Sequence, residues 1–388
     1  MNIILFDTET RKRLFPLTAT RAVADIRMGI LTIKERWEKM TAARVFVLTD
    51  DYLQPLYEKI PSNDYVFIDA SIIPSPGIMQ RIINLSDGEG ISDENGLAAG
   101  KVFIQSLPSL QELPLLFKSL CSIPVVKRLM FPYQLFLLNE EMIKSDYKLL
   151  TKGRISDKYN ESVHVIKPEE IFIEAGADVS FSNLNAASGP IYIGKNAAVM
   201  EGCFIRGPFA LGENAVLKMS SKIYGATTIG PYCTAGGEIK NSVMTGYSNK
   251  AHDGYLGDSV IGEWCNLGAG TTNSNVKNTG GEVKSWNYYE NNYVAAGNKC
   301  GVIMGDYSRT SINTSINTGT VIGVCCNVFG EGLTPKVINN FSWGMKGQSS
   351  YEFEKALKDI SNWKKMKNKT LSEPETKVLK HIFENYNN

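Results

Sequence analysis

Histidine is scarce here: a chain of 388 residues holds three, His164, His252 and His381. That leaves too few imidazoles for a metal centre built from several converging histidines. Net charge is also nearly absent, with 41 basic against 40 acidic residues and a formal balance of +1. Such a balance supplies no bulk attraction to nucleic acid or a membrane surface, although a few local lysines and arginines suffice for a small anion. No long apolar run opens the chain, because MNIILFDTETRKRLF turns charged after four apolar residues. It reads as neither a signal peptide nor a membrane span, and the expected compartment is the cytoplasm. The seven cysteines are odd in number and lack CxxC spacing. Six of them, Cys203, Cys233, Cys265, Cys300, Cys325 and Cys326, are expected as small core residues rather than disulfides or zinc ligands. Glycine is missing from the first 28 residues, a gap that bears on phosphate binding below.

What is present falls into two rhythms. Residues 1–125 alternate short apolar runs (NIILF, RVFVLTD, YVFIDA, KVFIQS) with helical segments such as GILTIKERWEKM, which predicts an α/β domain. Residues 126–164 form a helical linker, with Phe136, Leu137, Met142, Ile143 and Leu149 as its apolar positions. From 165 to 345 the period becomes six. Ile193, Val199, Ile205, Leu211, Leu217, Ile223, Ile229 and Ala235 are spaced six apart, and glycine follows every third one. Further runs are read at Val243, Asn249, Tyr255, Ile261 and Leu267, and at Met304, Thr310, Ile316, Ile322 and Val328.

A six-residue period is the mark of a parallel β-helix, in which three hexapeptides make one triangular coil and inward apolar residues form ladders. The strict short period selects the left-handed form. Residues 271–297 (TTNSNVKNTGGEVKSWNYYENNYVAAG) break the ladder and are read as a polar loop projecting from the prism. Residues 346–388 read as closing helices. Phe353, Ala356, Leu357, Ile360, Trp363 and Met366 share one helical face, and Ser372 with Glu375 has capping-box spacing.

The segment EIKNSVMTGYSNKAHDGYLGDSVIGEWCNLGAGT, residues 238–271, carries a Glu-x-Lys opening, a His-x-x-Tyr-Leu-Gly-Asp step and an Asn-x-Gly-Ala-Gly step. It resembles the acetyltransferase domain of the bacterial bifunctional enzymes that acetylate glucosamine-1-phosphate and then uridylylate the product. The resemblance implies that His252 is a general base taking a proton from a sugar amine as it attacks acetyl-CoA. It implies that Glu238 orients the histidine and sugar, and that Tyr255 and Asn266 contact the sugar phosphate and acetyl region. Lys240 matches a phosphate-binding lysine, Lys222 stands where the family has an arginine, and Asn275 matches an asparagine of an Asn-Tyr-Asp-Gly stretch. Lys277 or Lys284 is nearest to the family's next lysine. A homotrimer with sites between neighbouring prisms follows from the same resemblance.

The family places a nucleotidyltransferase domain before its prism. In DTETRKRLFPLTATR the glycine-rich phosphate turn is replaced, and Arg11, Arg13 and Arg21 are expected to supply charge to a nucleoside triphosphate. Asp69, ending YVFID, is the expected Mg²⁺ ligand, although a strict register puts Ser71 there. Three readings result: an acetyl-CoA-dependent N-acetyltransferase on an amino-sugar-1-phosphate with a nucleotidyltransferase-like domain, a sugar-1-phosphate nucleotidyltransferase (uridylyl or thymidylyl) with the prism as trimerisation scaffold, or a non-catalytic trimer that binds sugar nucleotides.

Overall fold

The computed structural model describes residues 2–346 and 349–386. Its N-terminal part is a six-stranded sheet of β1 (Asn2–Phe6), β2 (Arg44–Leu48), β3 (Asn63–Asp69), β4 (Glu89–Asp93), β5 (Gly96–Ile104) and β6 (Ser119–Ser122), in the order β2-β1-β3-β5-β4-β6. β1 runs parallel to β2 and β3, whereas β5 runs antiparallel to β3 and β4. The helix Ile33–Thr41 starts on a capping box formed by Thr32 and Glu35.

The helix Gln134–Thr151 then joins this sheet to the rest through polar groups that are fully buried. Asp146 accepts from Arg36 and from the backbone amides of Ile30 and Leu31, while Asn139 accepts from the Gly29 amide and donates to the Ala226 carbonyl. A buried carboxylate is tolerated because its lone pairs are all met.

The six-residue rhythm folds as a parallel β-helix with three faces. The first face ends on the strand Tyr255–Gly257, the second collects nine strands from Ile171–Ile173 to Val337–Ile338, and the third runs from Asp178–Val179 to Ser349–Ser350. The run from Ile193 to Ala235 points inward at 2% exposure or less. The second expected run needs correction. Two shortened coils pair Ile229 with Met244 and Ala235 with Lys250, so the inward residues are Met244, Lys250 and Leu256. Val243, Asn249 and Tyr255 therefore face outward, because one residue of slip reverses the side of a strand.

Six of the seven cysteines are buried thiols and none is paired, so they fill core volume as expected. Residues 271–297 are not a simple projecting loop: Thr272–Asn273 adds a strand beside Ser315–Ile316, and Lys284–Asn287 pairs with Asn292–Ala295 as a hairpin. That hairpin folds onto the N-terminal part, where Val283 and Ala296 join its core and Asn287 donates to the Arg13 carbonyl at 2.8 Å.

Cover is unequal among the faces. The outward residues Val243, Val260, Ile303 and Val321 of the second face merge with the N-terminal core. The closing helices Phe353–Lys365 and Glu373–Asn385 bury Ala356, Ile360, Val378, Leu379 and Ile382 against Trp264, Tyr307 and Phe341 at the corner between the second and third faces. Ser372 and Glu375 form the expected capping box, but Met366 lies at the helix end and is exposed. The first face carries no such cover, and Phe204 and Lys222 stand exposed on it.

Candidate active site on the first face and its edge

Strand alternation decides what the uncovered face presents. On Lys222–Tyr224, Glu238–Lys240 and Tyr255–Gly257 the middle residues Ile223, Ile239 and Leu256 enter the core, which turns the flanking residues outward. Lys222, Glu238 and Tyr255 then form one cross-strand column, with Tyr224, Lys240 and Gly257 beside it. The Tyr255 ring lies over Gly257, where a Cβ would stand 2.2 Å from its hydroxyl, so any larger residue there would displace the ring. A cleft of about 500 Å³ runs along this face past Arg206, Lys222 and Tyr224.

Hydrogen bonds fix several of these groups. Tyr224 donates from its hydroxyl to Glu238 Oε1 at 2.5 Å, and the Lys240 ammonium stands 6.0 Å from the Tyr224 ring centre. Asn275 donates from Nδ2 to the Tyr255 hydroxyl at 3.1 Å and to Asp258, and Asn241 donates to the other oxygen of Asp258 at 2.7 Å. The Glu238 carboxylate pushes the Tyr224 phenol up to about 12, and burial followed by Asp258 does the same for Tyr255. Both phenols therefore stay protonated near neutral pH and act as donors.

His252 occupies the corner between Asn249–Lys250 on the third face and Tyr255–Gly257 on the first. It is exposed, and among the described residues its imidazole has no hydrogen-bond partner within the chain. Asn266 lies on the third face beside Asn249 rather than in the column of the first face. The structure thus gathers Lys222, Glu238, Lys240, Tyr255 and Asn275 on one face, with His252 at its edge and Asn266 round the corner. A carboxylate, two phenols and two ammonium groups on one face can hold an anionic ligand, and an exposed imidazole at the edge of that face is of the type that accepts a proton. Lys277 is turned onto the Glu282 carbonyl and closes its own loop, while Lys284 starts the hairpin.

The N-terminal candidates are placed differently, and burial is the reason. Arg11 is 1% exposed, paired with Asp7 and Asp50 and donating to the Thr18 carbonyl and Tyr52 hydroxyl, so it offers no fork to a phosphate. Arg21 borders a cavity of about 410 Å³, but its two amino groups are held by Glu263 and Asp306 of the prism. Arg13 pairs with Glu290 at 3.3 Å and stacks over Tyr289, both at the tip of the hairpin. As the chain stands, the three arginines expected to meet a nucleotide fasten the N-terminal domain internally, through Arg11, or to the prism, through Arg13 and Arg21.

Asp69, the expected Mg²⁺ ligand, is tied internally too. One of its oxygens accepts from Arg128 at 2.9 Å and the other from the amide and hydroxyl of Ser71, all in a site 2% exposed. Among the described residues no group of three or more His, Cys, Asp or Glu could hold a metal ion, and with both of its oxygens taken by Arg128 and Ser71 the Asp69 carboxylate does not fit a Mg²⁺ ligand as it stands. A cleft of about 900 Å³ on this side is lined by residues that include Lys12, Asp50, Asp51, Ser109, Gln111 and Glu112.

Sequence reasoning missed Tyr224, Asp258 and Lys250. Tyr224 was marked by its place two residues after Lys222, on the same side of a strand. Lys250 carried no such mark, because the shortened coils hide the inward position it occupies.

No helix among the described residues is long and apolar enough to cross a membrane. Residues 3–155 match the family described as sugar nucleotidyl transferase. A "Bifunctional sugar-1-phosphate nucleotidylyltransferase/acetyltransferase" of Sulfurisphaera tokodaii is 32% identical over 147 residues, which cover 36% of this chain and 35% of the relative. A "Bifunctional protein GlmU" of Methanocaldococcus jannaschii is 36% identical over 89 residues, covering 23% of this chain and 21% of the relative. Another protein of that name from Synechococcus elongatus is 25% identical over 209 residues, 48% of this chain and 42% of the relative. In each case the chain spans less than half of the relative's length. The solved Arabidopsis UDP-N-acetylglucosamine acyltransferase aligns at 11% identity and a TM-score of 0.20 over 59% of this chain and 90% of that one, too low to bear on fold or function. The chain is therefore an α/β domain followed by a β-helix, with the pattern of the sugar nucleotidyl transferase family over residues 3–155 and similarity to two-function enzymes that join nucleotidyl transfer to acetyl transfer.

Proposed function

We propose that the β-helix transfers an acetyl group from acetyl-CoA to the amine of an amino-sugar-1-phosphate, in an enzyme of sugar-nucleotide synthesis. The observation that carries this reading is the in-register column of Lys222, Glu238 and Tyr255, with the exposed His252 at the corner that leads into the Tyr255 strand. In the proposed reaction the neutral imidazole removes a proton from the sugar ammonium or the attacking amine, a step worth about 10² to 10⁴ in rate. Lys222 and Lys240 balance the sugar phosphate, and Tyr255, held by Asn275, donates to it. Glu238, held by Tyr224, orients the amine. CoA leaves as the amide forms.

The same reading assigns a homotrimer. Phe181, Met219 and Ile312 are exposed at the edge that carries His252, and Phe204 and Ile166 on the adjoining face. Covering five such side chains is worth on the order of 7 kcal/mol at roughly 1.5 kcal/mol each, comparable with the lower cost of association. A neighbouring prism on this edge would complete the cleft. His252→Ala is expected to remove acetyl transfer while sedimentation still reports the same assembly; turnover within tenfold of the parent would remove His252 as the base.

The match over residues 3–155 favours a second activity, transfer of a nucleotidyl group to the sugar-1-phosphate. Its test is Mg²⁺-dependent release of pyrophosphate from UTP or dTTP with a sugar-1-phosphate. No step is assigned to Mg²⁺, since the residues that would hold it are tied elsewhere. Ligand binding without turnover in either assay would leave the third reading, a sugar-nucleotide-binding trimer.

A further inference from the structure

The interior ladder of the third face runs through Val199, Leu217 and Ala235, and then places Lys250 where an apolar residue belongs. Lys250 is 2% exposed. Its in-register neighbour Ala235 is the smallest of these ladder residues, which leaves room for the four-carbon stem. The ammonium reaches the corner from inside and donates to the Gly236 carbonyl at 3.1 Å and to the carbonyl of His252. Those two carbonyls belong to successive coils, so one side chain sutures the coils at the level of His252.

The outer side of the same corner is equally constrained. A Cβ on Gly237, which has a φ of +73°, would lie 2.8 Å from the His252 carbonyl oxygen, and the Gly270 amide donates to the Asp253 carbonyl at 3.1 Å. The His252 carbonyl is thus bonded from within and packed closely against Gly237, and the next residue, Asp253, is bonded by the following coil, while among the described residues the exposed imidazole has no hydrogen-bond partner. Apolar residues would fill this ladder at lower cost, because a charge taken from water is repaid only by well-made hydrogen bonds. Burial draws the Lys250 ammonium down to about 8, which is the signature of that cost.

We infer that Lys250 is a positioning residue, whose ammonium fixes the His252 main chain from inside the prism so that the imidazole meets the sugar amine in one orientation. The inference rests on the reading of His252 as the base. Misplacing a reacting group by about 1 Å costs on the order of a hundredfold in rate.

The test is Lys250→Met, which keeps the stem and removes the donors, in full-length protein labelled with ¹³C in its histidine rings. The ring signal of His252 is identified as the one lost in His252→Ala. The expected result is a fall in kcat on the order of a hundredfold, with KM for acetyl-CoA and glucosamine-1-phosphate within about twofold, a shifted or broadened His252 signal, and a thermal midpoint equal to or above the parent's. Should the methionine variant fail to fold, Lys250→Leu, which likewise carries no donor, replaces it with the same expectations. An unchanged His252 signal in a folded variant overturns the clamp, and an altered signal with unchanged kcat overturns its part in the reaction. If the parent shows no acetyl transfer, the reading of the base fails while the histidine signal still decides the clamp.

Discussion

Tyr224 and Lys250 show how a single side chain sets the chemistry of its neighbours. Tyr224→Phe removes the hydroxyl that donates to the Glu238 carboxylate and leaves the ring beside Lys240. Acetyl transfer is expected to fall by roughly ten- to a hundredfold, the size of a hydrogen bond to a charged group, with the change read in kcat/KM for the sugar. Lys250 leaves a trace in stability. Its folded value of about 8 lies below the ordinary 10.5, so between those values the unfolded chain binds more protons than the folded one. Stability therefore rises as pH passes from about 8 to 10. Urea midpoints at fixed protein concentration should show that rise in the parent and a flatter line in Lys250→Met; parallel lines would contradict the burial of a charged lysine.

His252, Glu238, Tyr255 and Asn275 were legible in the sequence because the segment around them keeps its spacing, and the structure sets the last three together. Lys250 was not legible. Reading a constant period of six through Ala235 assigns Asn249 to the core, and the short coil that puts Lys250 there is visible only once Ala235 and Lys250 are paired.

At the scale of elements, the stretch 7–21 and the hairpin 284–295 exchange the roles expected of them. The sequence displays three arginines in a position suited to phosphate, and no local pattern tells which carboxylates they meet. Arg21 finds Asp306, 285 positions away, and Arg13 meets the hairpin at Glu290. The helix and strand rhythm was readable because it is local, whereas these pairings depend on how two domains close on each other. Arg21→Ala would leave Asp306, 3% exposed in its side chain, without its ion-pair partner. The expected cost is about 3 to 5 kcal/mol, measured as a lowered denaturation midpoint. A nucleotide-binding role would instead predict a folded protein of near-parental stability. Asn287→Ala removes the bond from the hairpin to the Arg13 carbonyl and is expected to cost about 1 to 2 kcal/mol, because that carbonyl loses its donor in a partly buried place.

The whole molecule divides its surfaces by use. One prism face seats the N-terminal domain, a second corner seats the closing helices, and the remaining face and edge carry the catalytic candidates beside exposed Phe181, Phe204 and Met219. This division explains why the polar column is unobstructed: cover lies on the other surfaces, and the open edge is the one the proposed trimer would use. Replacing Phe204 and Met219 with glutamate should shift sedimentation toward monomer and lower acetyl transfer together, since each site would lose its second wall. A monomer with parental activity would place the whole site within one chain.

The most direct measurement is mass-spectrometric detection of CoA and acetylated sugar when the protein is given acetyl-CoA with glucosamine-1-phosphate. The account predicts CoA release that requires the sugar, yields equal amounts of N-acetylated product and disappears in His252→Ala. Release independent of the sugar, or none at all from a folded assembly, would contradict it.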